Sequence, residues 1–156
     1  MIGLPQEYVS GFVDGEGCFS VLFSKNAKFK LKIEVRPSFS VDQGKSSRDL
    51  IKNIASFFGT PNEKMRPYEN MLKYETRSLS HILNKVIPHF ETYPLYSNKQ
   101  KDFKCFAIIC QLMEKKKHLE KVYLIEIIKL AYSMNLDSSS NSRREQSLEY
   151  WLNILQ

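Results

Sequence analysis

Lys28-Phe29-Lys30-Leu31-Lys32-Ile33-Glu34-Val35-Arg36-Pro37-Ser38-Phe39-Ser40-Val41-Asp42 alternates apolar and polar residues with few breaks. Phe29, Leu31, Ile33, Val35, Phe39 and Val41 fall on one side of an extended chain. Lys28, Lys30, Lys32, Glu34, Arg36, Ser38, Ser40 and Asp42 fall on the other. One apolar and one charged face is the pattern of an antiparallel strand with a single buried side. Pro37 has no N–H to give, which calls for a bulge or an edge position. At ~3.3 Å per residue the run would reach ~50 Å.

Upstream, Phe19, Val21 and Phe23 alternate with Cys18, Ser20, Leu22 and Ser24, which predicts a partner strand joined through a turn at residues 24–27. Before it, residues 5–14 read as a helix: Pro5 suits its first turn, Tyr8, Val9, Phe12 and Val13 share a face, and Gly15 and Gly17 end it. Downstream, Ser46 with Asp49 three residues on is a capping pattern, and Leu50, Ile54, Phe57 and Phe58 stripe a helix that Gly59 stops. Two shorter strands follow, over residues 63–68 and 71–77, then a helix over 79–87 ending at Pro88. The remainder reads as helices over 98–116, 119–134 and 144–155, with a polar loop before the last. The order is α-β-β-α-β-β-α plus a helical C-terminal third. With its strands arriving as hairpins, the fold class is α+β rather than a wound parallel sheet.

The chain has 156 residues, 42% apolar and 12% aromatic, enough for a single domain with a proper core and too apolar for a disordered tail. Its net charge of +6 points to a polyanionic partner. The three cysteines form no CxxC, which excludes a disulfide scaffold and predicts reduced core thiols in a non-secreted protein. His81, His89 and His118 are scattered, with no zinc-ligand spacing. No apolar run is long enough to span a bilayer, and no signal-peptide pattern opens the chain.

Two features carry chemistry. The polar side of the sheet is rich in bases, with Lys28, Lys30, Lys32, Arg36, Arg66, Lys73 and Arg77 beside acceptors and hydroxyls at Glu34, Ser38, Ser40 and Glu75. A twisted ribbon of this kind fits the DNA major groove, where Lys and Arg suit guanine edges and Glu accepts from cytosine. The second feature is Asp14-Gly15-Glu16-Gly17. Carboxylates at a helix C-terminus are unfavourable for stability, yet carboxylate and carbonyl oxygens together suit a hard cation such as Mg²⁺ or Ca²⁺. Gly11 and Gly15, four apart, leave one helix face bare, so a second copy of the helix could cross there. That would bring two Glu16 residues together around metal ions, the layout for phosphodiester hydrolysis.

Val9-Ser10-Gly11-Phe12-Val13-Asp14-Gly15-Glu16-Gly17 resembles the signature of the LAGLIDADG homing endonucleases, in its glycine and acidic positions above all. The element order is similar too, over residues 5–115, and the helical remainder more loosely. The resemblance implies a saddle-shaped antiparallel sheet on double-stranded DNA and Mg²⁺-dependent cutting, with Mn²⁺ or Ca²⁺ substituting for binding. It also implies a single-motif homodimer acting on a long, near-palindromic site. Glu16 matches the metal-binding acid and the Gly15 carbonyl a neighbouring contact. Asp14 takes a structural place at a seam formed with Tyr8, Gly11, Phe12 and Gly15. Gln43, at a strand end, matches the polar residue near the attacking water, and Lys99, within Pro94-Leu95-Tyr96-Ser97-Asn98-Lys99-Gln100-Lys101, the basic residue at the active-site edge. The DNA face would comprise Ser20, Leu22, Ser24, Lys28, Lys30, Lys32, Glu34, Arg36, Ser38, Ser40, Asp42, Arg66, Tyr68, Lys73, Glu75 and Arg77. The loop residues Ser138, Ser139, Ser140, Asn141 and Arg143 would contact phosphates. Val9-Ser10 departs from the usual Leu-Ala, and Glu16 from Asp with its charge kept. Asp42 puts a charge beside Gln43 that either repels phosphate or joins the metal shell. The family implies an intron-encoded protein of a mitochondrion or chloroplast, otherwise of a prokaryotic cytoplasm. The alternative is a non-cleaving nucleic-acid binder on the same scaffold, an intron RNA splicing cofactor or a DNA-binding regulator, and a basic structural protein is a more distant one.

Overall fold

The helix that opens the chain runs further than its glycines predict. In the computed structural model, which describes residues 3–59, 65–136 and 144–156, α1 spans Gln6–Glu16, with Pro5 as N-cap and Gly17 as C-cap. Gly15 lies inside it, because helical hydrogen bonding continues until the Gly17 N–H closes on the Val13 carbonyl. Val9 and Val13 are fully buried and hold the helix down. Glu7 sits in the first turn, where the helix dipole favours an acid.

Strand β1 (Gly17–Lys25) follows with no connecting loop, and β2 (Ile33–Gly44) returns beside it. The long alternating run is therefore a strand only from Ile33, about 12 residues and ~40 Å. Lys28, Lys30 and Lys32 lie in the connection, not on a strand face. Local bonding wins there. Asn26 Oδ1 accepts the Lys28 N–H at 3.1 Å, Asn26 N–H donates to the Lys32 carbonyl at 2.9 Å, and Lys32 takes a left-handed φ of 62°. Phe29 and Leu31 leave the ladder with them.

A short 3-10 turn, Lys45–Ser47, leads to α2 (Arg48–Phe57), whose N-cap is Ser47 rather than Ser46, with no side-chain cap bond. Strands β3 (Met65–Tyr68) and β4 (Met71–Thr76) form the second hairpin, and the sheet order is β1-β2-β4-β3. Antiparallel pairing sets Phe39 opposite Thr76, Ser40 opposite Glu75, Asp42 opposite Lys73 and Arg66 opposite Lys73 on the far side. Pro37 lies beyond the Phe39–Thr76 end of the β2–β4 ladder, so its missing N–H costs no bond there. Helix α3 (Leu79–His81) continues through a π-helical turn, Ile82–Val86, into α4 (Ile87–Thr92). Pro88 does not end the helix because it follows directly on the π-helical turn, where the widened ladder pairs the Ile87 N–H with the Ile82 carbonyl five residues back. Then come α5 (Lys99–Glu114), α6 (Lys121–Tyr132) and α7 (Leu148–Ile154), each shorter than its apolar periodicity predicts.

Contacts gather the chain into two compact units, Met1–Phe19 with Ser38–Gln100, and Ser20–Pro37 with Lys101–Gln156. The first is built around aromatic rings. Phe39 meets Phe19 and Phe58 at 5.3 Å between centroids and Phe90 at 5.7 Å, and Phe58 stacks on Tyr74 at 6.1 Å. Each buried ring contributes ~2–3 kcal/mol from removal of apolar surface alone. In the second unit Val21, Ile33, Val35, Phe103, Phe106, Ile109, Leu124, Ile127, Ile128 and Trp151 are all buried. Arg144 ties its elements together, donating to the Val21 and Ala131 carbonyls at 3.0 and 3.1 Å and lying 4.4 Å over the Tyr132 ring. All three cysteines are free, and only Cys110 is fully buried. Among the described residues no helix is long and apolar enough to cross a membrane.

Candidate active site and nucleic-acid interface

Glu16 is the last residue of α1 and is exposed, with no hydrogen-bond or ion-pair partner among the described residues. Asp14, two residues earlier, is in the opposite condition. Its carboxylate accepts the Tyr96 N–H at 2.9 Å, the Ser97 N–H at 3.0 Å and the Ser97 hydroxyl. Burial works against its charge, but the Ser97 hydroxyl, the two N–H groups and the nearby Lys99 outweigh it and hold the carboxyl below its ordinary range. The two acids thus divide, Asp14 fastening the segment between α4 and α5 and Glu16 left open.

That segment places Lys99. Ser97 Oγ donates to Asp14 and accepts the Lys99 N–H at 3.1 Å, capping the start of α5. The Lys99 ammonium then reaches back to the Val13 carbonyl at 3.0 Å, supplying from another element the cation that the last turn of α1 lacks. Gly17 makes this junction possible. A Cβ there would lie 2.5 Å from Val13 Cγ1 and 2.8 Å from the Val13 carbonyl oxygen. At Gly11 and Gly15, by contrast, a Cβ would meet nothing within 4 Å. Both are exposed, on the helix that also presents Tyr8, 46% exposed and stacked on Phe12 at 6.4 Å. Beside them a cavity of about 230 Å³ is lined by Glu7, Ser10, Gly11, Asp14, Tyr93 and Tyr96, among others.

Gln43 lies near the end of β2, the neighbour of β1 in the sheet, and β1 begins one residue after Glu16. Its side-chain carbonyl accepts the Gly44 N–H at 3.0 Å. Asp42 is half-buried and registers with Lys73. The described residues include no group of three or more His, Cys, Asp or Glu placed to share a metal.

Of the polar strand face, Leu22 and Arg36 are exposed, and Ser20, Ser24, Glu34, Asp42 and Lys73 partly so. Arg77, just past β4, is exposed as well. Ser38, Ser40 and Glu75, expected to be wet, are buried at 7%, 7% and 8% exposure, because Ser38 donates to Glu75 Oε1 at 3.1 Å and two bases close over the carboxylate. Glu34 accepts from Ser24 and Asn26 at 3.3 and 3.2 Å. Arg66 and Tyr68 lie on β3, where their side chains fall outside the described residues, as do Ser138, Ser139, Ser140, Asn141 and Arg143 altogether.

Sequence reasoning missed one network. Ser10 Oγ donates to the Tyr93 carbonyl at 2.7 Å and lies 3.0 Å from His89 Nε2, while His89 Nδ1 is 3.1 Å from Gln6 Oε1. It fastens the inner side of α1 to the segment that carries Ser97. No local signal marks it, since 79 residues separate Ser10 from His89.

A helix ending in an exposed carboxylate and a four-stranded antiparallel sheet make this an α+β protein. The solved structure of the homing endonuclease I-TnaI superimposes with a TM-score of 0.86 and 34% identity, over 99% of this chain and 100% of that one. The I-SmaMI LAGLIDADG homing endonuclease, in a structure bound to cleaved DNA, matches with a TM-score of 0.81 and 31% identity over 85% of this chain and 44% of its own. The family described as LAGLIDADG endonuclease matches residues 9–110, and the chain belongs to that family. A Neurospora crassa relative, "Probable intron-encoded endonuclease 2", is 30% identical over 134 residues, 85% of this chain. The chain spans 25–30% of the length of that and similar curated relatives.

Proposed function

We propose that the protein is a sequence-specific endonuclease that hydrolyses both strands of a long, near-palindromic double-stranded DNA site as a metal-dependent homodimer. The observation that carries this reading is the division of the two acids: Asp14 is consumed by three donors, while Glu16 stands open at the end of α1 with Lys99 held to the same helix end. Both compact units act as one endonuclease domain.

The donor set fits a hard cation. Glu16 carboxylate and Gly15 carbonyl oxygens would hold Mg²⁺, with Mn²⁺ or Ca²⁺ able to occupy the same oxygens. When bound, the ion polarises a phosphate oxygen and lowers the pKa of a water. Among the described residues one chain brings a single unpartnered carboxylate to this place, so the metal shell would be half a shell that a second α1 completes. The open faces at Gly11 and Gly15 support a close helix crossing there, with Tyr8, Phe12 and Asp14 along the seam. Lys99 offers positive charge to the phosphate, and Gln43 orients the attacking water. Lys73, Arg77, Arg36, Ser20, Leu22 and Ser24 face the DNA. The intron-encoded relative supports an intron location for the coding sequence and, with it, an organelle or prokaryotic host.

Glu16→Gln tests the reading. The site is selected from a random DNA library with wild-type protein and Mg²⁺. The variant should then bind that site within about threefold of wild type while cleavage falls at least ~1000-fold, a loss typical of removing a central electrostatic group. Cleavage at the wild-type rate would remove Glu16 from the metal site. Specific binding by wild type without any strand cut would favour the non-cleaving binder.

A further inference from the structure

Lys73, Glu75 and Arg77 alternate along and just past β4, so all three point to the same side of the sheet. Their exposures differ. The side chains of Lys73 and Arg77 are 32% and 56% exposed, that of Glu75 only 9%. Glu75 Oε1 accepts from Ser38 Oγ at 3.1 Å and lies 3.4 Å from an Arg77 nitrogen and 3.6 Å from Lys73 Nζ. Burial opposes its charge, yet Lys73, Arg77 and the Ser38 hydroxyl together hold the carboxyl below its ordinary value. The sequence alone casts Glu75 as a base reader that accepts from cytosine. Its geometry is wrong for that role, because one oxygen is ringed by three donors and the group sits beneath the two cations.

We propose that Glu75 is a specificity-positioning residue: it fixes Lys73 and Arg77 in place on the β4 face, and those two cations read the DNA while the carboxylate touches no base. The inference rests on the DNA-binding reading above. A lysine or arginine on a free stem meets any phosphate within reach, and such contacts carry no sequence information. Discrimination between bases needs a donor held at one place against a groove edge. A single buried carboxylate between two bases does this for both. It also cancels one of their two charges, which weakens attraction to DNA of every sequence. Glu75 therefore raises discrimination and lowers non-specific affinity, a pair of effects that a direct base contact does not produce.

Glu75→Gln keeps the size of the side chain and its bond to Ser38. Affinities for the selected site, for unrelated DNA and for a panel of single-base-pair changes are measured over a salt series, beside Lys73→Ala and Arg77→Ala, with melting curves as a control for folding. Non-specific affinity should rise, with a log–log salt slope steeper by about one. Discrimination should fall about tenfold or more at the base pairs that Lys73→Ala and Arg77→Ala relax, at both sets together. Relaxation confined to a base pair that neither alanine variant affects would make Glu75 a direct reader and overturn the proposal, as would an unchanged panel. Should Glu75→Gln fail to fold, the wild-type protein without DNA decides. NMR order parameters of the Arg77 guanidinium and the Lys73 terminal methylene should fall together as Glu75 is protonated, and indifference of both to that titration overturns the proposal. Absence of any site-specific binding by wild type would instead sink the functional reading, and the NMR measurement would stand apart from it.

Discussion

Gly15 and Gly17, two residues apart, do different things, and alanine separates them. At Gly17 the added methyl would overlap Val13 at 2.5 Å, and part of the obstruction is the Val13 carbonyl, which cannot rotate away. Gly17→Ala should lower stability by ~1–3 kcal/mol, the usual cost of forced overpacking, read as a fall in melting temperature. Gly15 is helical with open space around it, so Gly15→Ala should leave the isolated chain as stable or raise it by ~0.5–1 kcal/mol from helix propensity. The same methyl would stand in the proposed seam, so dimer dissociation should increase; a tighter dimer would contradict the seam. His89 offers a pH test at the same scale. Burial among Phe57, Phe58 and Phe90 lowers its pKa to about 4 from the ordinary 6.5. The unfolded chain therefore takes up a proton on this ring at a higher pH than the folded chain. Stability is full above about 6.5 and is lost as pH falls from there toward 4, with a slope of up to ~1.4 kcal/mol per pH unit. His89→Gln should flatten the melting-temperature profile in that window, and an unchanged slope would show the imidazole to be uninvolved.

Between elements, the decisive link is the segment joining α4 to α5, which carries Lys99 to the end of α1. Its position depends on Ser97, whose oxygen meets both Asp14 and the Lys99 N–H. Ser97→Ala removes both bonds and should lower stability by ~1 kcal/mol. On the proposed role of Lys99 it should also lower kcat for cleavage about tenfold with KM little changed, because the displaced ammonium would act on the phosphate rather than on binding. A rise in KM with constant kcat would make Lys99 a binding residue. Asp14 stays charged well into acid, so this fastening holds at neutral pH and is lost only as pH falls through its lowered pKa. These element-level facts also mark what could be read in the sequence. The order of helices and strands and the acidic end of α1 were legible because each rests on local periodicity or on a motif of adjacent residues, whereas Lys99 came only from the family resemblance, since the bond that brings it to α1 spans 86 residues. The start of β2 was not. The alternation at Phe29 and Leu31 is as regular as at Ile33 and Val35, and only the hydrogen bonds of Asn26 decide that the chain turns there. Burial of Ser38, Ser40 and Glu75 was hidden for a related reason, since it depends on the cross-strand register with β4.

At the scale of the whole molecule the question is what one chain lacks. Among the described residues no three potential ligands cluster, and the free carboxylate of Glu16 stands alone. A second chain is the simplest source of the missing oxygens, and a two-fold axis through crossing α1 helices would supply them in equivalent positions. Catalysis should then be second order in protein at concentrations below the dimer dissociation constant, with the cleavage rate rising as the square of concentration on dilute DNA. Mixing wild type with an excess of Glu16→Gln chains sharpens the test. If each active site draws Glu16 from both chains, a mixed dimer carries only half of each shell. Cutting should therefore fall as the square of the wild-type fraction, about a hundredfold when one chain in ten is wild type. A fall in simple proportion to that fraction would mean that each chain completes its own site, and the seam at Gly11 and Gly15 would then serve assembly on DNA without sharing the metal.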